Sequence, residues 1–242
     1  MKKKILIFNW KMNPFSLKES LGLAKASDNK GVVIIPPFVF LERIGKAIKK
    51  AELGAQDLFW EEKGAFTGEI SVKQLKSVGT DYVLIGHSER RHKFDETDEM
   101  VSKKMSAAVK NNLSAILCVG ETKQEKDSGR KEEILTMQLN IGLSQIFFGQ
   151  RPQPKILIAY EPVWAIGSGI PETPESALKT ILYIKSFVMN GYNYNPAVLY
   201  GGSVNSQNLE SFIKYSDIDG VLVGGASIKK DEVKKMISLI KN

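Results

Sequence analysis

The sequence predicts an α/β protein, a single closed (β/α)8 barrel spanning residues 1–242, and three observations predict it. Short β-branched runs alternate with amphipathic helical stretches along the whole chain. The apolar runs are nearly continuous, as expected of parallel strands covered on both faces. Eight such β–α repeats in 242 residues match the ~250 residues of one barrel domain. No Gly/Ser-rich or Pro-rich linker, low-complexity tract or charge block divides the chain. A doubly wound open sheet is the alternative. Its dinucleotide-binding form requires Gly-x-Gly-x-x-Gly after the first strand, where this chain has Asn9-Trp10-Lys11-Met12-Asn13.

The strands fall at residues 4–9, 32–35, 53–56, 82–85, 115–119, 156–161, 197–200 and 220–223. Ser71-Val72 opens a helix that Gly79 closes. Thr173-Pro174-Glu175 supplies an N-cap, a proline at the first helical position and an acid in the first turn. In the last helix, 231–242, Val233, Met236, Ile237 and Ile240 recur at i, i+3, i+4 and i+7 and form one buried stripe.

An apolar fraction of 43% and a charged fraction of 25% are ordinary for a globular protein. The one cysteine, Cys118, sits in an apolar run and cannot form an internal disulfide, which fits a reducing compartment and a buried thiol. The basic start runs into only four apolar residues before Asn9-Trp10-Lys11, too short for a signal sequence. No apolar run reaches the ~20 residues of a membrane helix, so a cytoplasmic protein is expected. The net charge of +7 is spread over pairs such as Lys49-Lys50, Lys103-Lys104, Lys229-Lys230 and Lys234-Lys235. Without interleaved aromatics these read as a solvated surface that attracts small anions, not as a nucleic-acid site.

In such a barrel the active site collects at the C-terminal strand ends. Asn9 and Lys11 stand after the first strand, and Gly86-His87-Ser88-Glu89-Arg90-Arg91 after the fourth. Glu161 ends the sixth and is followed by Pro162-Val163-Trp164 and the glycines Gly167 and Gly169. Gly201-Gly202-Ser203 and Gly224-Gly225 follow the seventh and eighth. The two Gly-rich turns and the glycines of the lid can offer bare backbone N–H groups to a phosphate. His87 is placed near a helix N-terminus, where the dipole favours the neutral imidazole, while His92 falls on the surface. A carboxylate, a neutral hydrogen-bond donor and a cation around an anchored phosphate suit proton removal beside a carbonyl, with stabilisation of the enediolate. Each residue also has a plainer reading. Glu161 could pair with a lysine, His87 and the glycines could be structural, and Lys11 could be one more surface lysine.

Taken in register, the motifs resemble the triosephosphate isomerase family over nearly the whole chain. They are Asn9 to Asn13, Gly64-Ala65-Phe66-Thr67-Gly68-Glu69, Gly86 to Arg91, Ala159 to Gly169, Tyr200 to Val204 and Leu222 to Ser227. The resemblance implies a TIM barrel that isomerises a small phosphorylated triose without metal or organic cofactor. It implies Glu161 as the base, His87 as the neutral electrophile, Lys11 as the enediolate-stabilising cation and Asn9 as an orienting group. Glu89 would be the supporting acid, and Gly167, Ser203, Gly224 and Gly225 would hold the phosphate. The resemblance thus implies a carboxylate base paired with a helix-tuned neutral histidine. The resemblance further implies a homodimer in which the loop around Thr67 inserts beside the neighbour's site. Two other readings stay open: a phosphate-binding barrel isomerising longer sugars, and a non-catalytic or nucleic-acid-binding barrel.

Overall fold

Strand residues that alternate between two apolar surroundings explain the architecture. The computed structural model describes residues 3–146, 149, 153 and 155–240. The first half of the chain gives β1 (Ile5–Asn9), α1 (Leu17–Ser27), β2 (Val32–Ile35), α2 (Leu41–Ala47) and β3 (Glu52–Ala55). It continues with α3 (Val72–Ser77), β4 (Tyr82–Ile85), α4 (Ser88–Lys93), α5 (Asp98–Lys110) and β5 (Ser114–Val119). The second half gives α6 (Lys123–Asp127), α7 (Lys131–Leu143), β6 (Ile156–Tyr160) and α8 (Pro174–Tyr192). It ends with β7 (Ala197–Tyr200), α9 (Leu209–Ile213), β8 (Gly220–Val223) and α10 (Lys230–Leu239). The eight strands pair in sequence order, all parallel, and β8 closes on β1.

Every strand position is buried except at the strand starts, which is why the runs read as continuously apolar. Alternate residues nevertheless serve two cores. Ile7, Val33, Ile35, Leu84, Ile116, Cys118, Leu157, Ala159, Leu199 and Leu222 fill the barrel interior. Leu6, Phe8, Val32, Ile34, Leu117, Ile158 and Val198 point outward beneath the helices. In α8, Ala177, Ile181, Ile184 and Val188 form the stripe that covers this outer layer. Each fully buried Ile or Val there contributes roughly 1.5–3 kcal/mol relative to exposure. Thr173 caps α8 through its hydroxyl, which accepts from Ser176 N, and Pro174 occupies the first turn. Ser71 and Gln74 form a capping box at α3, and Gly79 follows it at φ +81°.

The same two-residue period fixes the barrel mouth. Continuing the inward positions to the C-terminal end of every strand except β2, where the corresponding residue is Pro37, reaches Asn9, Gln56, Gly86, Gly120, Glu161, Gly201 and Gly224. Four of these seven are glycines, so the top layer is hollow where the lower layers are packed. Three polar side chains remain to furnish it.

Strand positions agree with the sequence reading to within a residue. Glu161 lies just past β6, although its N–H still donates to Val119 O at 2.7 Å. The last helix runs from Lys230 to Leu239; residues 241 and 242 of the expected span lie outside the described residues. The surface reading of the lysine pairs fails at one position. Lys104 is 4% exposed on the inner face of α5, where Nζ binds Asp57 Oδ1 at 2.7 Å and Glu96 Oε1 at 2.8 Å. Arg90 Nε completes this network, 2.8 Å from both Asp57 and Glu96. A buried ammonium is tolerable only when paired in this way. Among the described residues no helix is long and apolar enough to cross a membrane.

Candidate active site

Glu161 is 2% exposed, and its two carboxylate oxygens have different surroundings. Oε2 accepts from the backbone N–H of Ser88 at 2.9 Å. Oε1 lies 3.3 Å from His87 Nε2 but off the N–H axis, so it has no hydrogen-bond partner. An unpaired oxygen on a buried carboxylate is costly and is rarely left so without a use. Room for this side chain comes from Gly201, where a Cβ would lie 2.9 Å from Glu161 Cγ. That gives the Gly-rich turn after β7 a second reason for its glycine, besides any contact with an anion.

His87 is the N-cap of α4, reached through Gly86 at φ +72°. Its Nδ1 accepts from Glu89 N at 3.2 Å. A ring nitrogen that accepts a backbone N–H carries no proton. The hydrogen-bond network therefore assigns a neutral ring with its hydrogen on Nε2, facing Glu161 and the cavity.

Lys11 is held in a left-handed backbone conformation, φ +53°. For a residue with a side chain this is strained, at about 1–3 kcal/mol, and persists only where the surroundings enforce it. The enforcing contacts are Lys11 N donating to Asn9 Oδ1 at 2.9 Å and Gln56 Nε2 donating to Lys11 O at 2.7 Å. The Lys11 side chain then runs past Gly224, where a Cβ would lie 3.1 Å from Cε, and Nζ meets Glu89 Oε1 at 2.7 Å. Gln56 was not among the residues picked from the sequence. Its signal is its position two residues beyond Gly54, on the inward face at the end of β3.

Partial burial raises the Glu89 carboxyl, but the hydrogen bond and charge of Lys11 outweigh it and leave the group below its ordinary value of 4.5. A depressed folded-state pKa stabilises the fold above pH 4.5, and that contribution is lost as pH falls through the folded value. The difference in thermal stability between wild type and Glu89→Gln is therefore expected to shrink between about pH 6 and about pH 3. A difference that grows on acidification would contradict the pairing.

The lid segment begins with a short 3-10 turn, Val163–Ala165, and carries Gly167 and Gly169 at φ +70° and +76°. Ala165 O accepts from Ser203 Oγ at 2.7 Å and from Ser168 Oγ at 3.0 Å, which ties the lid to the turn after β7. Trp164 Nε1 donates to Glu121 Oε1 at 2.9 Å. Gly224 leads directly into the turn Gly225–Ile228. Asn9, Lys11, His87, Glu161, Gly167, Ser203, Gly224 and Gly225 all line one cavity of about 550 Å³. Glu89 joins it through Lys11. Thr67 does not; it lies on an exposed loop with Phe66, which is 42% exposed. His92 is exposed as expected. Cys118 is fully buried in the barrel interior, and burial followed by the nearby Glu161 charge pushes its thiol well up. Among the described residues no group of three or more His, Cys, Asp or Glu side chains is placed to hold a metal ion.

The family model described as triosephosphate isomerase matches residues 4–240. The chain belongs to the triosephosphate isomerase family. Its relatives include the triosephosphate isomerase of Caldanaerobacter subterraneus subsp. tengcongensis, 42% identical over 98% of this chain and 100% of the relative. The Aquifex aeolicus protein of that name is 40% identical over 97% of this chain and 98% of the relative. That of Dictyoglomus thermophilum is 43% identical over 95% and 96%. Family membership and a closed eight-stranded barrel bear out the resemblance read from the motifs.

Proposed function

We propose that this chain interconverts dihydroxyacetone phosphate and D-glyceraldehyde 3-phosphate, and that residues 1–242 form one catalytic domain. The observation that carries the site assignment is the unpaired Glu161 oxygen facing the Nε2 side of a neutral His87 inside the glycine-walled cavity.

The backbone N–H groups of Gly167, Ser203, Gly224 and Gly225 hold the substrate phosphate. Glu161 releases Ser88 N and takes a proton from carbon 1 of the ketose. The electron pair of that C–H bond becomes the carbon–carbon double bond of an enediolate, and negative charge collects on the carbonyl oxygen. Lys11 Nζ and His87 Nε2–H stabilise that charge, with Asn9 orienting the substrate and Glu89 holding the Lys11 ammonium. His87 gives its Nε2 proton to one oxygen and takes the proton of the other. Glu161 then returns its proton to carbon 2. No cofactor enters these steps. Closure of the lid excludes water while the enediolate exists. Pentose phosphates provide the test of substrate size: turnover of the triose phosphate without measurable turnover of a pentose phosphate is expected, and preference for the pentose would overturn the assignment.

The protein acts as a cytoplasmic homodimer. Met12, Phe15, Val39, Phe66 and Phe94 are 88%, 92%, 80%, 42% and 67% exposed. All five lie on the connections that follow β1 to β4, four consecutive strands of the barrel. Apolar side chains exposed along one sector support an interface there. Thr67→Arg, which charges the loop 64–69, is expected to weaken dimerisation and activity together. A fully active monomer in sedimentation would contradict this.

A further inference from the structure

Gln138 lies on α7, 7% exposed, and both ends of its amide engage one residue. Oε1 accepts from Gly120 N at 2.8 Å, and Nε2 donates to Gly120 O at 3.1 Å. Gly120 follows β5 and presses against the backbone of Glu161. A Cβ at Gly120 would lie 1.8 Å from the Glu161 carbonyl oxygen, so no other residue fits there without moving that peptide. The residues on either side of Gly120 grip the same segment. Glu161 N donates to Val119 O at 2.7 Å, and Val163 N donates to Glu121 O at 3.0 Å. The Glu121 carboxylate also takes the indole N–H of Trp164.

From this geometry we infer that Gln138 is a positioning residue for Glu161 and for the first hinge of the lid. It fixes the Gly120 peptide, and residues 119–121 in turn fix the backbone of 161–163. The inference rests on the reading of Glu161 as the base. A helix on the outer layer thereby sets the height of a carboxylate at the barrel mouth. The device suits a reaction in which a displacement of about 1 Å costs about 10²-fold in rate.

Two variants test it, assayed beside wild type and Glu161→Gln. Gln138→Leu keeps the side-chain volume but leaves the buried N–H and C=O of Gly120 without partners. It is expected to lower kcat about 10–100-fold while KM moves by less than about threefold. Gln138→Glu accepts from Gly120 N but meets Gly120 O with a lone pair while ionised. Burial raises such a carboxyl, and its protonated form donates again. Its kcat relative to wild type at the same pH should therefore recover as pH falls, which a generally loosened fold would not produce. A folded Gln138→Leu with wild-type kcat, or a Gln138→Glu ratio that is low and stays low as pH falls, overturns the positioning role while leaving Glu161 as the base. Activity that survives Glu161→Gln overturns the base reading and this inference with it.

Discussion

Replacing Glu161 by glutamine is expected to lower kcat for triose phosphate isomerisation by about 10²–10⁴-fold or more. The amide matches the carboxylate in size, and its oxygen can still accept from Ser88 N, the contact that holds the side chain in place. The fold should therefore persist, with an unchanged circular dichroism spectrum. What disappears is the group that can receive a carbon-bound proton. Steady-state kinetics on the purified variant give the answer, and a kcat within tenfold of wild type would remove Glu161 from the proton transfer.

Lys11→Met is expected to cost about 10²–10³-fold in kcat, the range seen when one preorganised charge-stabilising group is lost. Methionine has similar reach and no charge, and the left-handed backbone of residue 11 remains held by Asn9 and Gln56. Two effects act in the same direction. The enediolate loses a cation, and Glu89, deprived of its 2.7 Å partner, faces the developing negative charge. KM should rise as well, because the lysine also attracts the anionic substrate. Adding Glu89→Gln removes the orphaned carboxylate and should recover thermal stability but not kcat. Recovery of kcat by the second substitution would mean that Lys11 serves only to neutralise Glu89.

How much of this was legible in the sequence follows from where each residue takes its role. The strands were legible because burial on both faces writes a continuous apolar run. Asn9 and Glu161 were legible because each breaks such a run with a polar group at a strand end. Gly201 and Gly224 stood out as glycines after strands, although their spacing alone did not separate anion binding from making room for Glu161 and Lys11. Gln56 was placed at the end of a strand but missed as a site residue, because the run before it, Leu53-Gly54-Ala55, is short and weakly apolar and its amide carries no charge. Gln138 was missed because one polar residue in a helix reads as solvated. Its burial comes from α7 packing over the end of β5, a contact between segments 18 residues apart. Lys104 was misread for a related reason. Its place on the inner face of α5 becomes tolerable only when Asp57 and Glu96 arrive from other elements. Gln138 and Lys104, whose surroundings are supplied by other elements, carry no mark of their roles in their own segments.

In the proposed reaction a side-chain base carries a proton between two carbons through an enediolate. Running the wild-type reaction from D-glyceraldehyde 3-phosphate in deuterium oxide, with the product examined by NMR, tests this most directly. A proton held on a carboxylate exchanges with solvent in a fraction of turnovers even beneath a closed lid, whereas a proton passed directly between carbons never does, so some dihydroxyacetone phosphate carrying deuterium at carbon 1 is the expected result. Normal turnover to a product free of deuterium would mean direct transfer between the carbons and would contradict the role given to Glu161.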